Sequence, residues 1–354
     1  MLYLLISCTS QDIDYQYQPE NNQNDTSTST CVPEEPGDYE REDRDYWFGA
    51  LTFQMTPGKQ TLMEPDQFTD IYMNTISLRF LLPFDYTGGT KYPYERPNLY
   101  YSSLEDNICQ MGNLIHSLKE EGFSIILSGE PHYQSYEEWI ELHPNWDGDY
   151  QSMDILENEE MIEQFILDMD ESMLQLAQMA EKYSVEILSP ISEADRYLGS
   201  ARSDTFQQDI LPIVSDFSGK LLWQVYGEDL REPDLLPNAH QIEFSGYDIL
   251  GFSIIGCDGT RLEWDWYIDT LVDWGTEDNI DSIMVSELGC VREPNSIDDA
   301  ISNFDHWYEK TKSYSDGFIA LDTPQGNNNA QGVAGSWFEE WLLDVAQDQG
   351  LNEQ

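Results

Sequence analysis

The chain has 354 residues, and its Lys+Arg 16 against Asp+Glu 68 leave a formal net charge of -52. A surface of that sign repels phosphate backbones and anionic headgroups, which excludes nucleic acid as a partner. The acidic excess is spread through segments with apolar periodicity, so it marks a folded surface; it fits a high-salt environment, where at about 1 M salt the Debye length is about 3 Å, or else a basic partner.

The chain starts Met1-Leu-Tyr-Leu-Leu-Ile-Ser-Cys8, and Leu5-Ile6-Ser7-Cys8 resembles a lipobox, in which the cysteine becomes the lipidated first residue. There is no basic n-region, and the apolar run is shorter than that of most signal peptides. Residues 1–8 are expected to be a lipoprotein-type signal remnant with lipidation at Cys8. Residues 9–45 are rich in Asn, Gln, Asp, Ser, Thr, Glu and Pro and nearly free of aliphatic side chains, so they are expected to form a disordered polar linker, the stalk of an exported, cell-surface protein. No later apolar run reaches the 18 or so residues that a membrane span needs.

From residue 46 to 354 the pattern alternates strand and helix. Candidate strands are Trp47 to Phe53, Thr75 to Leu82, Ser124 to Ser128, Val185 to Ser189, Lys220 to Tyr226, Ile249 to Ile255, Ile283 to Ser286 and Gly317 to Leu321. Helical patterns fill most of the gaps: Pro65 to Met73, Leu104 to Glu121, Glu159 to Tyr183, 201–217, 261–274, 296–313 and Ser336 to Gln347. The gap between strands five and six is the poorest in helix, because Pro233 and Pro237 interrupt it. Eight βα units in series predict the α/β class: a single (β/α)8 TIM barrel carrying a disordered N-terminal stalk.

In that fold the carboxyl ends of the strands form the mouth where ligand binds. Strand four runs into Pro190-Ile191-Ser192-Glu193, the proline ending its ladder, and strand seven runs into Glu287-Leu288-Gly289. Two glutamates at one mouth suit glycosidic cleavage, in which one protonates the leaving oxygen and the other attacks the anomeric carbon or activates water. A separation of about 5 to 5.5 Å would give retention of configuration, and about 6.5 to 9.5 Å would give inversion.

Arg79 interrupts the apolar second strand, and by alternation it shares a face with Ser77 and Leu81. A guanidinium there needs a carboxylate, and Glu287 is the expected partner. The pairing would keep Glu287 ionised as nucleophile, while a less compensated Glu193 would hold its proton as the acid.

Ser77-Leu78-Arg79-Phe80, Ser192-Glu193 and Val285-Ser286-Glu287-Leu288-Gly289 resemble the core of the clan A glycoside hydrolases, the retaining (β/α)8 barrels, and most closely the mannanase-type glycoside hydrolase family 113. The resemblance spans roughly residues 46 to 344. It implies Glu193 as acid/base, Glu287 as nucleophile, Arg79 as its orienter, and His132 in Glu130-Pro131-His132-Tyr133 as a subsite residue. Many clan members carry Asn where this chain has Ser192. Strand six ends in Phe252-Ser253-Ile254-Ile255 without the aromatic or histidine often found there, and Leu321-Asp322-Thr323-Pro324-Gln325-Gly326 lacks the common Trp.

Ten Trp and 21 Tyr suit a saccharide groove, since sugar C–H faces stack on aromatic rings. Tyr86, Tyr92, Tyr94, Tyr100 and Tyr101 follow strand two, and Tyr133, Tyr136, Trp139, Trp146 and Tyr150 follow strand three. Trp223, inside strand five, is expected either to reach the mouth as a substrate-binding residue or to pack in the core. Cys257 and Cys290, just past neighbouring strand ends, could form a disulfide in an oxidising compartment. No cysteine or histidine spacing suggests a metal, and no cofactor is expected. The sequence thus points to a monomeric retaining glycosidase acting on a β-linked polysaccharide or oligosaccharide such as mannan; the alternative is a non-catalytic saccharide-binding surface lipoprotein on the same scaffold.

Overall fold

A computed structural model describes residues 31–52, 65–84, 104–133, 159–226, 242–255, 261–290, 294–322 and 333–353. Eight strands pair in sequence order, all parallel, and close into a barrel: β1 (Trp47–Thr52), β2 (Thr75–Phe84), β3 (Ser124–Tyr133), β4 (Ile187–Ser189), β5 (Lys220–Val225), β6 (Ile249–Ile255), β7 (Ser282–Gly289) and β8 (Ser315–Asp322). Closure is made by β1 against β8, in register from Trp47 opposite Gly317 to Thr52 opposite Asp322. The described helices are α1 (Pro65–Thr69), α2 (Leu104–Glu120), α3 (Glu159–Lys182), α4 (Asp195–Leu198), α5 (Ser200–Ile210), α6 (Arg261–Glu277), α7 (Ile297–Thr311) and α8 (Trp337–Asp348). The (β/α)8 barrel expected from the alternating pattern is therefore the fold.

Strand alternation divides the apolar residues into two layers. Trp47, Leu51, Ile126, Ile187, Leu222, Ile249, Met284, Ile319 and Leu321 fill the barrel interior. Ile76, Leu78, Phe80, Ile125, Leu127, Leu188, Trp223, Phe252, Val285 and Phe318 face outward into the helices. Helices start where capping residues allow: Ser296 accepts from the Asp299 amide ahead of α7, and Ser336 accepts from the Phe338 amide ahead of α8.

The polar linker expected over residues 9–45 meets the described residues in 31–45, and there the chain is irregular but fixed to the barrel. Cys31 is disulfide-bonded to Cys109 on α2. Arg41 donates to the Val185 carbonyl at 2.7 Å, pairs with Glu181 at 2.6 Å and lies 5.2 Å from the Phe217 ring centre. The Glu42 amide donates to Glu186, a buried carboxylate that also takes Lys119 at 2.5 Å and the Ile125 amide at 2.8 Å. Arg44 reaches Ser124 and the Gly122 carbonyl. These partners stand at the starts of β3, β4 and β5, so the segment is a strap across the end of the barrel opposite the mouth. Composition alone hid this, because the strap is held by charge and one cysteine rather than by apolar area.

Candidate active site

Glu287 enters the interior through an irregularity in β7. Met284 points inward and Val285 outward, so strict alternation would turn Glu287 towards the helices. The register shifts instead: Phe252 lies opposite Val285 but Ser253 lies opposite Glu287, so Ser286 is the extra residue of a bulge. Bulges re-aim side chains in this way. Gly251 makes room for it, since a Cβ there would come within 3.0 Å of the Ser286 side chain. The strand itself continues to Gly289, past the end expected at Ser286.

Glu193 arrives by a second irregularity. The ladder of β4 stops at Ser189, as Pro190 predicts, and the chain bulges before rejoining the sheet. The Ser192 amide donates to the Gly129 carbonyl at 2.6 Å and the Glu193 amide to the Gln224 carbonyl at 3.1 Å, which wedges both residues between β3 and β5. Gly129 is required for this path, because a Cβ there would lie 2.4 Å from the Pro190 carbonyl oxygen. Glu193 itself has φ 51°, a left-handed conformation that a non-glycine residue adopts at a cost of order 1–3 kcal/mol and that concentrates at functional sites.

The two carboxylates share one polar layer above the apolar floor. Arg79 is buried, and its Nη2 is in direct contact with Glu287 Oε1, the partner expected for it. Its Nη1 donates to Ser192 Oγ at 2.6 Å and to Gln224 Oε1 at 3.1 Å, and Gln224 Nε2 donates to Glu287 Oε1 at 2.7 Å. On the other side, Ser253 Oγ donates to Glu193 Oε1 at 2.9 Å. Ser253 is opposite Glu287 in the ladder, so the hydroxyl that binds the Glu193 carboxyl comes from the strand neighbour of Glu287.

Glu193, expected to be the less compensated of the pair, has a cation of its own. Arg196, three residues on at the start of α4, holds its Nη1 3.0 Å from Glu193 Oε2 and lies 4.8 Å from the Tyr226 ring centre. Burial works against the Arg196 charge, but Glu193, with Tyr197, Tyr226 and Glu130 around it, more than offsets this and raises its pKa above the ordinary arginine value. A third carboxyl, Glu130 on β3, stands 3.6 Å from Arg79 Nη1. Burial, opposed by Arg79 and reinforced by Glu193, raises its pKa above the usual glutamate range.

Of the other residues singled out in the sequence, Ser192 joins the site through Arg79. Trp223 does not. It is buried among the helices, edge-on to Phe244 at 5.0 Å, and in contact with Tyr247, because alternation along β5 turns Leu222 and Gln224 inward and Trp223 outward. The substrate-binding role expected of Trp223 is thereby corrected to a packing role. His132 and Tyr133 close β3 in register with Pro83 and Phe84, but their side chains lie outside the described residues, as do Cys8, Cys257 and the aromatic stretches after β2 and beyond Tyr133. Cys290 is disulfide-bonded; Cys257, the partner expected for it, lies outside the described residues.

Gln224, Ser253, Arg196 and Glu130 are the site residues that the sequence reading missed. Gln224 and Ser253 are lone polar residues in apolar strands, the same signal that marked Arg79. Glu130 lies two residues beyond Ser128, on its face of β3, and Arg196 one turn beyond Glu193.

No family model matches the chain, and no curated protein matches it. Solved structures do. A GH113 β-1,4-mannanase aligns with 85% of this chain and 99% of its own, at TM-score 0.59 and 14% identity. The GH113 β-mannanase AaManA from Alicyclobacillus acidocaldarius, in complex with ManMIm, aligns with 88% of this chain and 98% of its own, at TM-score 0.56 and 14% identity. An endo-1,4-β-D-mannanase from Thermotoga petrophila aligns over 85% and 99%, at TM-score 0.55 and 10% identity. This chain therefore has the barrel fold of these glycoside hydrolases over nearly their whole length, and the resemblance read from its strand ends is met at the level of fold.

Proposed function

We propose that this protein is a retaining glycoside hydrolase that cleaves a β-linked polysaccharide or oligosaccharide, mannan-like by preference. In this reading Glu287 attacks the anomeric carbon while Glu193 gives its proton to the leaving oxygen. A glycosyl ester on Glu287 results, and water activated by the Glu193 carboxylate then hydrolyses it. The observation that carries the reading is the one buried polar network that holds both acids: Arg79 contacts Glu287 and donates to Ser192, the residue before Glu193, while Ser253, opposite Glu287 in the ladder, donates to the Glu193 carboxyl. Arg79 and Gln224 both donate to Glu287 Oε1, which leaves Oε2 as the natural attacking atom. The mannan preference draws on the mannanases among the similar structures, others of which are endo-β-1,4-glucanases by name.

We also place the protein outside the cell, anchored by a lipid on Cys8. Support comes from the Cys31–Cys109 disulfide, a bond that persists in oxidising compartments.

The test is a panel of polysaccharides in high salt, with the anomeric configuration of fresh product read by NMR. Wild type should release product with retained configuration. E287A should abolish hydrolysis and still bind the glycan.

The Arg196–Glu193 ion pair favours the rival reading, a saccharide-binding protein without catalysis, because it already engages Glu193 Oε2, an oxygen that an acid/base would present to the substrate. A wild type that binds glycans and hydrolyses none would establish the rival.

A further inference from the structure

The chain leaves β5 through an aromatic ring aimed at the mouth, and that ring is not Trp223. Alternation turns Leu222 and Gln224 into the barrel and Trp223 and Val225 out, so Tyr226, the next residue, comes back to the inner face. It stands two residues, about 7 Å, nearer the mouth than Gln224, whose amide donates to Glu287. Its contacts agree with that place. The Arg196 guanidinium lies 4.8 Å from the centre of the Tyr226 ring, and the same guanidinium holds Glu193 Oε2 at 3.0 Å. The backbone is fixed as well, since the Tyr226 amide donates to Oδ1 of the buried Asp195 at 3.1 Å. Trp223 and Val225 are buried, whereas Tyr226 keeps part of its surface exposed.

A ring anchored by Asp195 and Arg196 and still partly open is a preorganised apolar surface beside the acid. Pyranose rings carry apolar C–H faces that stack on aromatic side chains, and a ring already held in place loses little freedom when a sugar settles on it. Its position decides which sugar that is. Ser253, the strand neighbour of Glu287, takes Glu193 Oε1, and Arg196 takes Oε2, so Arg196 and Tyr226 stand on the side of the acid away from Glu287. In double displacement the nucleophile holds the sugar that is transferred, and the acid faces the sugar that leaves.

We propose that Tyr226 is the platform for the leaving-group sugar, a pyranose ring that stacks on it while Glu193 acts on the oxygen of the bond to be cut. The assignment to the leaving-group side rests on the glycosidase reading; the stacking itself rests on the exposure and the fixed place of the ring. The same platform serves the second half of the reaction. When a sugar replaces water at the glycosyl ester, its hydroxyl gives a proton to the Glu193 carboxylate, its oxygen bonds to the anomeric carbon and the bond to Glu287 breaks. A sugar resting on Tyr226 is therefore an acceptor for glycosyl transfer. Tyr226 is a substrate-binding residue in this arrangement and touches no reacting atom.

That partition supplies the test. The donor is the disaccharide β-fluoride of whichever polysaccharide the panel shows to be cleaved, because it loads Glu287 without a leaving sugar; the acceptor is an oligosaccharide of the same glycan. Glu193 is the base in transfer and in hydrolysis alike, so damage to the acid cancels in their ratio. In Y226A the ratio of transfer to hydrolysis should fall by about fivefold to tenfold at equal acceptor concentration, as expected for loss of an aromatic stack. Y226F keeps the ring and should recover most of the loss. If Y226A does not fold, Y226L keeps apolar bulk without the ring and gives the same reading.

A ratio equal in wild type and in the folded variant, or as low in Y226F as in Y226A, overturns the proposal. If wild type cleaves nothing, the glycosidase reading fails on its own and calorimetry with manno- and cello-oligosaccharides decides the platform: the variant should bind more weakly by the same factor and Y226F should recover binding. Equal binding, or no binding by wild type, overturns it.

Discussion

Ser253 and Glu193 come from strands that are not neighbours, yet the Ser253 hydroxyl donates to the Glu193 carboxylate at 2.9 Å while its backbone sits opposite Glu287. Both acids are presented by departures from regular structure: the left-handed Glu193 after β4 and the Ser286 bulge in β7. A regular barrel of the same residues would turn Glu287 into the helix layer. Function here depends on where the ladder is broken.

Removing that hydroxyl should be felt in catalysis. A hydrogen bond to a charged group is worth about 1.5–3 kcal/mol, so S253A is expected to lower kcat/KM by about tenfold to a hundredfold. Folding should be largely kept, since the alanine fits the same small site. Steady-state kinetics beside circular dichroism checks this, and unchanged kcat/KM would mean that the link does not matter to the reaction.

Arg196 gives a second test of the same carboxyl. Its guanidinium holds Glu193 Oε2 at 3.0 Å, and a hydrogen bond to a charged group is worth about 1.5–3 kcal/mol, so R196Q is expected to lower kcat/KM by about tenfold to a hundredfold while the fold is kept. Unchanged kcat/KM in a folded R196Q would mean that the pair does not position Glu193 for the reaction.

Glu130 makes stability depend on pH. Unfolded, it ionises near the ordinary value of about 4.3. Folded, it keeps its proton to higher pH, because burial and Glu193 outweigh Arg79. Between those two values the folded state binds more protons than the unfolded one, so stability falls as pH rises through the interval and levels off above it. E130Q lacks this titration. Urea unfolding in steps upward from about pH 4 should show the stability of E130Q minus that of wild type growing and then reaching a plateau; a flat difference would mean that the fold does not perturb Glu130.

The barrel was legible in the sequence because eight short apolar strand patterns alternate with seven helical ones, and Pro190 ends the fourth strand where the structure does. Arg79 was legible for the same reason, as a charge in an apolar strand that must find a partner. Arg196 was not, because nothing in its own segment reveals that a left-handed Glu193 will bring it back onto that carboxylate. The inward aim of Glu287 was hidden too. It depends on a phase shift at Ser286 that alternation cannot foresee, and the expected strand end at Ser286 concealed the question. Trp223 misled in the opposite direction, since aromatic content says nothing about which side of a strand faces the mouth.

The strap opposite the mouth should matter to stability and not to chemistry. Cys31 and Cys109 close a loop across a sequence separation of 78, and a native disulfide over such a span contributes about 2–4 kcal/mol. Replacing both with serine is expected to lower the unfolding free energy by about that amount while leaving kcat/KM within about twofold, since the bond sits on α2 and the strap, away from the polar layer. Denaturant unfolding and kinetics on the same preparation separate the two effects, and an equal loss in both would show that the strap reaches the site.

Several described cations are committed to carboxylate partners: Arg79 to Glu287, Arg196 to Glu193, Lys119 to Glu186, Arg41 to Glu181 and Lys310 to Asp269. Acidic residues far outnumber them, and many face solvent, as Glu160, Glu163 and Glu171 do along α3 and Asp298 and Asp299 at the start of α7. At a net charge of -52 their mutual repulsion favours the expanded chain in dilute buffer and is screened as salt rises. The unfolding midpoint is expected to climb steeply from low to about 1 M sodium chloride, where the Debye length is about 3 Å, and the climb should be reproduced by potassium chloride. Chloride salts are the right probe because sulfate strengthens apolar burial in any protein. A midpoint indifferent to chloride salts would exclude salt adaptation and leave a basic partner as the reason for so acidic a surface.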